Sequence, residues 1–155
     1  MEFEFQGLSP LEKSRLAAIT ELALELGYRP KLDMSKSVSY TFHHPKVKKT
    51  ILRFVTRQGR LVVLMKFFAT PAYSDFFQEA IRSTIEEYDY KYTGCYGCNN
   101  RCNETEGYRY RYTDGREYYR CGTELIEIHD ISKAPLPEIL ALLKRQHEFY
   151  LAKLE

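Results

Sequence analysis

All four cysteines of the chain lie in one stretch, KYTGCYGCNNRCNETEGYRYRYTDGREYYRCG, which runs from Lys91 to Gly122. Their spacing is Cys95-x2-Cys98-x3-Cys102-x18-Cys121. A loop this rich in Gly, Asn and Glu holds too little apolar surface to fix its own shape, so something must pin it. Cys95 and Cys98 are close enough to chelate one metal, and Gly94 and Gly97 let the backbone wrap tightly around it.

The fourth cysteine depends on what lies between. YRYRYTDGREYYRC interleaves aromatic and basic residues on either side of Asp114-Gly115, a strong signal for a β-hairpin with a two-residue type I′ turn. That turn would set Tyr110 opposite Tyr119, Arg109 opposite Arg120 and Tyr108 opposite Cys121. Cys121 would thus return beside Cys102. Four thiolates converging in this way make a closed tetrahedral zinc site, which is structural and leaves no position for a reactive water.

Other thiol chemistry is compatible with the same four residues. They suffice for an iron–sulfur cluster, although no standard cluster spacing is matched. Cys95-x-x-Cys98 has the spacing of a redox pair, but the helix that follows a thioredoxin-type motif is missing. Buried free thiols are a further possibility.

The expected register sorts the hairpin into two faces. Tyr108, Tyr110, Tyr112 and Tyr119 share one, where they could line a small-molecule pocket or pack against a helix. Arg109, Arg111, Arg116 and Arg120 share the other, a local basic patch suited to nucleic acid or another anionic partner. A solvated strand face accounts for the same pattern. The net charge of +2 is too small to imply nucleic acid by itself.

Around this stretch the chain reads as one α+β domain over residues 1–155, with the cysteine loop and hairpin as a subregion at 91–122. Ser9, Pro10 and Glu12 start a helix whose Leu16, Ile19, Ala23 and Leu26 repeat on one face, and Gly27 stops it. SVSYTFHH alternates as a strand. KTILRFVTRQGRLVVLMKFFA is a hairpin through Gln58-Gly59, with a second strand apolar on both faces. Thr70-Pro71 or Ser74 opens a middle helix with Phe77, Ile81, Ile85 and Tyr88 along its buried stripe. ELIEI gives a short strand. Pro135 and Pro137 then lead into a last helix with Leu136, Leu140, Leu143, Tyr150 and Leu154 on one side. The expected product is an antiparallel sheet with N-terminal, middle and C-terminal helices.

The N-terminus lacks the basic and apolar regions of a signal peptide, and no apolar run could span a bilayer. The chain therefore reads as cytoplasmic, where clustered cysteines are metal ligands or redox groups more often than disulfides. No phosphate loop, nucleophile elbow or zinc-protease helix is present, so no catalytic residue can be named. His43-His44 read as a surface loop, His147 as a hydrogen-bonded histidine on a helix stripe, and His129 as a strand end beside Asp130. Asp75, Glu79, Glu86 and Glu87 lie mostly on the polar side of the middle helix, with nothing to mark an acid–base pair.

VKKTILRFVTRQGRLVVLMKFF and CGTELIEIHDIS, with its closing helix, resemble small bacterial α+β domains of the GyrI-like and YdhG-like kinds. The resemblance covers less than half of the chain. The GyrI-like form would imply a cleft for small hydrophobic or cationic molecules. The cysteine loop departs from both patterns, so no functional residue is carried over. These readings together describe a zinc-binding small-molecule or regulatory module, with a nucleic-acid or protein-interaction module as the alternative.

Overall fold

A computed structural model describes residues 3–69, 73–87, 107–121 and 125–154, giving only the backbone of Arg109 and residues 118–121. These hold three helices, α1 (Pro10–Glu25), α2 (Asp75–Glu87) and α3 (Leu136–Lys153). Strands β1 (Arg29–Asp33), β2 (Ser39–His43), β3 (Leu52–Arg57), β4 (Arg60–Met65) and β7 (Ile126–Ile128) form one antiparallel sheet in the order β1-β2-β3-β4-β7. A separate ribbon pairs β5 (Gly107–Arg111) with β6 (Glu117–Cys121). The architecture is α+β. Among the described residues no helix is long and apolar enough to cross a membrane.

The local signals explain most of these elements. The Glu12 N–H donates to Ser9 Oγ while the Ser9 N–H donates to Glu12 Oε1, closing the expected capping box on α1. Gly27 ends the helix at a φ of +102°, and an added Cβ there would lie 2.9 Å from His44 Nε2. Gln58 and Gly59 both take positive φ, 53° and 75°, as a type I′ turn requires. β4 is buried from Leu61 to Met65, so its continuous apolar run belongs to a strand covered on both faces.

One large core holds the sheet face of Tyr40, Phe42, Phe54, Val63 and Ile128 together with Leu16 and Ile19 of α1, Phe77 and Ile81 of α2, and Ile139 and Leu143 of α3. On the opposite face, Val55, Val62 and Leu64 make a smaller cluster with Leu125. β7 ends the sheet order, and α2 packs along it. There the Glu127 N–H donates to Thr84 Oγ1 at 3.3 Å, so a helix side chain takes up a main-chain donor of the last strand.

One strand was missed and two expectations are corrected. β1 was not anticipated, because its burial does not alternate and Pro30 interrupts it, as suits an edge strand. Of the expected α3 stripe, Leu143 is buried and Leu136, Leu140 and Tyr150 pack on the core, but the buried face is centred on Ile139, Leu142, Leu143, Gln146 and His147, and Leu154 is 58% exposed. A helix face several residues wide can be shifted by one position without changing its period. The second correction is the register of the tyrosine hairpin.

Candidate functional site

β5 and β6 meet through three residues, Thr113, Asp114 and Gly115, rather than two. The Tyr112 N–H donates to the Arg116 carbonyl at 2.8 Å, and the Gly115 N–H to the Tyr112 carbonyl at 3.0 Å. Gly115 alone in this loop has positive φ, +92°, and Asp114 Oδ1 accepts the Arg116 N–H at 3.0 Å. This is the turn-plus-left-handed-glycine form of hairpin loop. The side-chain acceptor of Asp114 competes with the backbone conformation of a type I′ turn.

The extra loop residue slips the register by one. Gly107 pairs with Cys121, Tyr108 with Arg120, Arg109 with Tyr119, Tyr110 with Tyr118 and Arg111 with Glu117. Arg109 and Arg120 are therefore not opposite one another, and Tyr119 is not opposite Tyr110. A one-residue slip exchanges the faces of a whole strand relative to its partner. The expected sorting into a four-tyrosine face and a four-arginine face does not hold for the β6 positions.

The described tyrosines of the ribbon are used for packing. Tyr108 is fully buried, and its hydroxyl accepts the Phe67 N–H at 3.1 Å. Its ring meets Phe67 edge-on at 5.2 Å between centroids. Tyr110 lies against Tyr112, and the Tyr112 hydroxyl donates to Glu86 Oε1 at 3.0 Å on α2. Arg111 pairs with Glu117 at 3.3 Å. Arg116 pairs with Asp114 at 2.7 Å and sits over the Tyr112 ring. The side chains of Arg109, Tyr119 and Arg120 lie outside the described residues. So do Cys95, Cys98 and Cys102 and the side chain of Cys121, of which only the β6 backbone position is given.

His147 and His44 come together beside Tyr28, with their ring centroids 5.2 Å apart. His147 is buried on α3, with Nδ1 3.0 Å from the Tyr28 hydroxyl. Burial, followed by the neighbouring His44, pushes the His147 imidazole down, and burial followed by Tyr150 pushes the Tyr28 phenol up. Both shifts favour a neutral hydroxyl–imidazole pair. His44 Nδ1 accepts the N–H groups of Lys46 and Val47, so this ring is part of a turn. The pair at His147 agrees with the sequence expectation of a hydrogen-bonded helix histidine. The inclusion of His44 was hidden, because it comes from a distant loop.

A cleft of about 270 Å³ opens between α2 and the end of β7, lined in part by Phe76, Glu79, Arg82, Glu127, His129 and Asp130. Arg82 is held by Glu79 and Glu86, with its Nη1 2.6 Å from Glu86 Oε2. Glu127 is the unusual member, a carboxylate only 2% exposed on an otherwise apolar strand. Arg57 forms an ion pair with its Oε1. His129 Nε2 lies 3.6 Å from both Glu127 Oε2 and Glu87 Oε2. Sequence reading noted Glu87 and His129 separately. The alternation in LIEI was the one available signal that Glu127 faces away from the main core.

Comparison with protein-family models, with curated proteins and with solved structures gives no match.

Proposed function

We propose that this chain is a small zinc-binding module in which Cys95, Cys98, Cys102 and Cys121 hold a structural Zn²⁺ and fasten the β5–β6 ribbon to the domain. The reading extends to a small-molecule-binding or regulatory role in a reducing compartment such as the cytoplasm. The observation that carries it is the pairing of Gly107 with Cys121. Cys102 is five residues before Gly107 in the chain, so the slipped register brings the fourth cysteine one residue nearer to the third than a two-residue turn would. Four thiolates complete a tetrahedral zinc shell, so the metal's role here is to hold structure. The small-molecule part draws on the cleft beside α2, since Tyr108, Tyr110 and Tyr112 are engaged in packing. At about 270 Å³ it suits a small polar ligand.

Metal analysis of the purified protein, with an absorption spectrum of the same sample, tests the zinc reading. The expected result is about one zinc per chain without visible colour. Cys95→Ser and Cys121→Ser should then lower the melting temperature alike. A brown, iron-containing sample would replace zinc with a cluster, and a harmless serine at either position would remove that residue from the ligand set.

A further inference from the structure

Beside the cleft between α2 and β7, which Glu127 and His129 help to line, lies a donor set that the cysteines play no part in. Glu87 ends α2, Glu127 lies within β7 and His129 follows it. One ligand atom from each of the three lies within 4.8 Å of the other two. We propose that Glu87, Glu127 and His129 form a second metal site, for a divalent first-row transition ion, with its remaining coordination positions open to the cleft.

The spacing favours an ion over direct hydrogen bonding. At 3.6 Å, His129 Nε2 is too far from either carboxylate oxygen for a hydrogen bond. Ligands about 2.0–2.2 Å from a tetrahedral centre stand roughly 3.3–3.6 Å apart, which is the separation from His129 to each carboxylate. The donor chemistry agrees, because imidazole with carboxylates suits zinc, manganese or iron and is too hard a set for copper(I).

A second observation is the state of Glu127. Its side chain is 2% exposed, its Oε1 is taken by Arg57, and its Oε2 accepts no hydrogen bond among the described residues. Arg57 supplies a countercharge at Oε1. Oε2 lies on the side of His129 and has no donor among the described residues. A buried carboxylate oxygen without a donor is costly, and an ion is one of the few partners that relieves it. The backbone under Glu127 is fixed on both sides, by pairing with Leu64 of β4 and by its N–H bond to Thr84. This carboxylate is therefore held in place before any ion arrives, while Glu87 and His129, each about half exposed, complete the set from the rim.

Mn²⁺ is the probe of choice, because thiolate sites discriminate against it while an oxygen–nitrogen site accepts it. The experiment is titration of the intact purified chain with Mn²⁺, followed by loss of the free-ion electron paramagnetic resonance signal. The expected result is one saturable Mn²⁺ per chain. Glu87→Gln and His129→Gln, both at rim positions that should not disturb folding, are each expected to weaken binding roughly tenfold or more. Asp75→Asn, at the far end of α2, should change nothing. Absence of saturable binding, or binding unaltered by both rim substitutions, overturns the proposal. The outcome is independent of the zinc reading, since Cys121→Ser should leave Mn²⁺ binding in any folded protein intact.

Discussion

The β3–β4 hairpin lies inside the five-stranded sheet, flanked by β2 and β7, whereas the β5–β6 ribbon stands apart and reaches the core through Tyr108. The first turns through Gln58-Gly59 and the second through Thr113-Asp114-Gly115. Their registers are enforced by different means. In β3–β4, Phe54 pairs with Val63 on the core face and Val55 with Val62 on the other, so a slip would expose apolar side chains on both. β5 alternates tyrosine with arginine and β6 mixes aromatic with charged residues, so neither face is wholly apolar and the register is set by the loop and by attachment to α2. A hairpin rooted in the core tolerates a poor turn residue, while a hairpin at the periphery follows its turn.

Substitution at the two anchors gives the widest contrast. Phe54→Ala should cost about 3–5 kcal/mol in a urea melt, because it empties fully buried volume in the main sheet. Tyr108→Phe keeps the ring and leaves the Phe67 N–H without its acceptor, for a loss of about 1–3 kcal/mol. If the two cost the same, the ribbon is as deeply rooted as the sheet and the contrast fails. Hydrogen exchange should place the Tyr108→Phe effect mainly in β5 and β6.

A smaller effect is expected at the first turn. Asparagine tolerates positive φ better than glutamine does, so Gln58→Asn should raise stability by roughly 0.5 kcal/mol. A loss instead would mean that the Gln58 side chain contributes something the turn geometry does not explain.

Acid should distinguish the turns more gently still. The Arg116 N–H, and after it the Arg116 side chain, hold the Asp114 carboxyl below its usual range. A carboxyl depressed in the folded state contributes above its unfolded pKa, and that contribution fades as pH falls through the lower folded value. Amides at 112–116 should therefore exchange faster below about pH 4, while those at Gln58-Gly59 do not respond. Asp114→Asn should remove the pH dependence and keep the oxygen acceptor. An unchanged response in that variant would assign the effect to another carboxyl.

The glycine-bearing turns show where sequence reading succeeds and where it stops. Asp114-Gly115 and Gln58-Gly59 were both legible as hairpin turns, since each places a glycine, which takes positive φ freely, between two strand-like runs. The loop length at Asp114 was not legible, because it depends on whether Asp114 accepts the Arg116 N–H or adopts positive φ itself. Phe3 and Phe5 were missed as well. They pack on Tyr40 and Phe54 from a segment with no helical or strand period to betray it. Of the candidate sites, the cysteine set is visible in spacing alone. The Glu87, Glu127 and His129 set is not, since its members lie as much as 42 residues apart in the chain.

The sequence by itself determined the α+β class, the α1 capping box, the two-faced burial of β4 and the concentration of thiols between Lys91 and Gly122, because each follows from local period, cap chemistry or composition. Tertiary structure decided the edge strand β1, the face that α3 buries, the one-residue register of β5–β6 and the meeting of α2 with β7. Those depend on which surfaces are left to cover once the sheet has formed, and no local pattern carries that information.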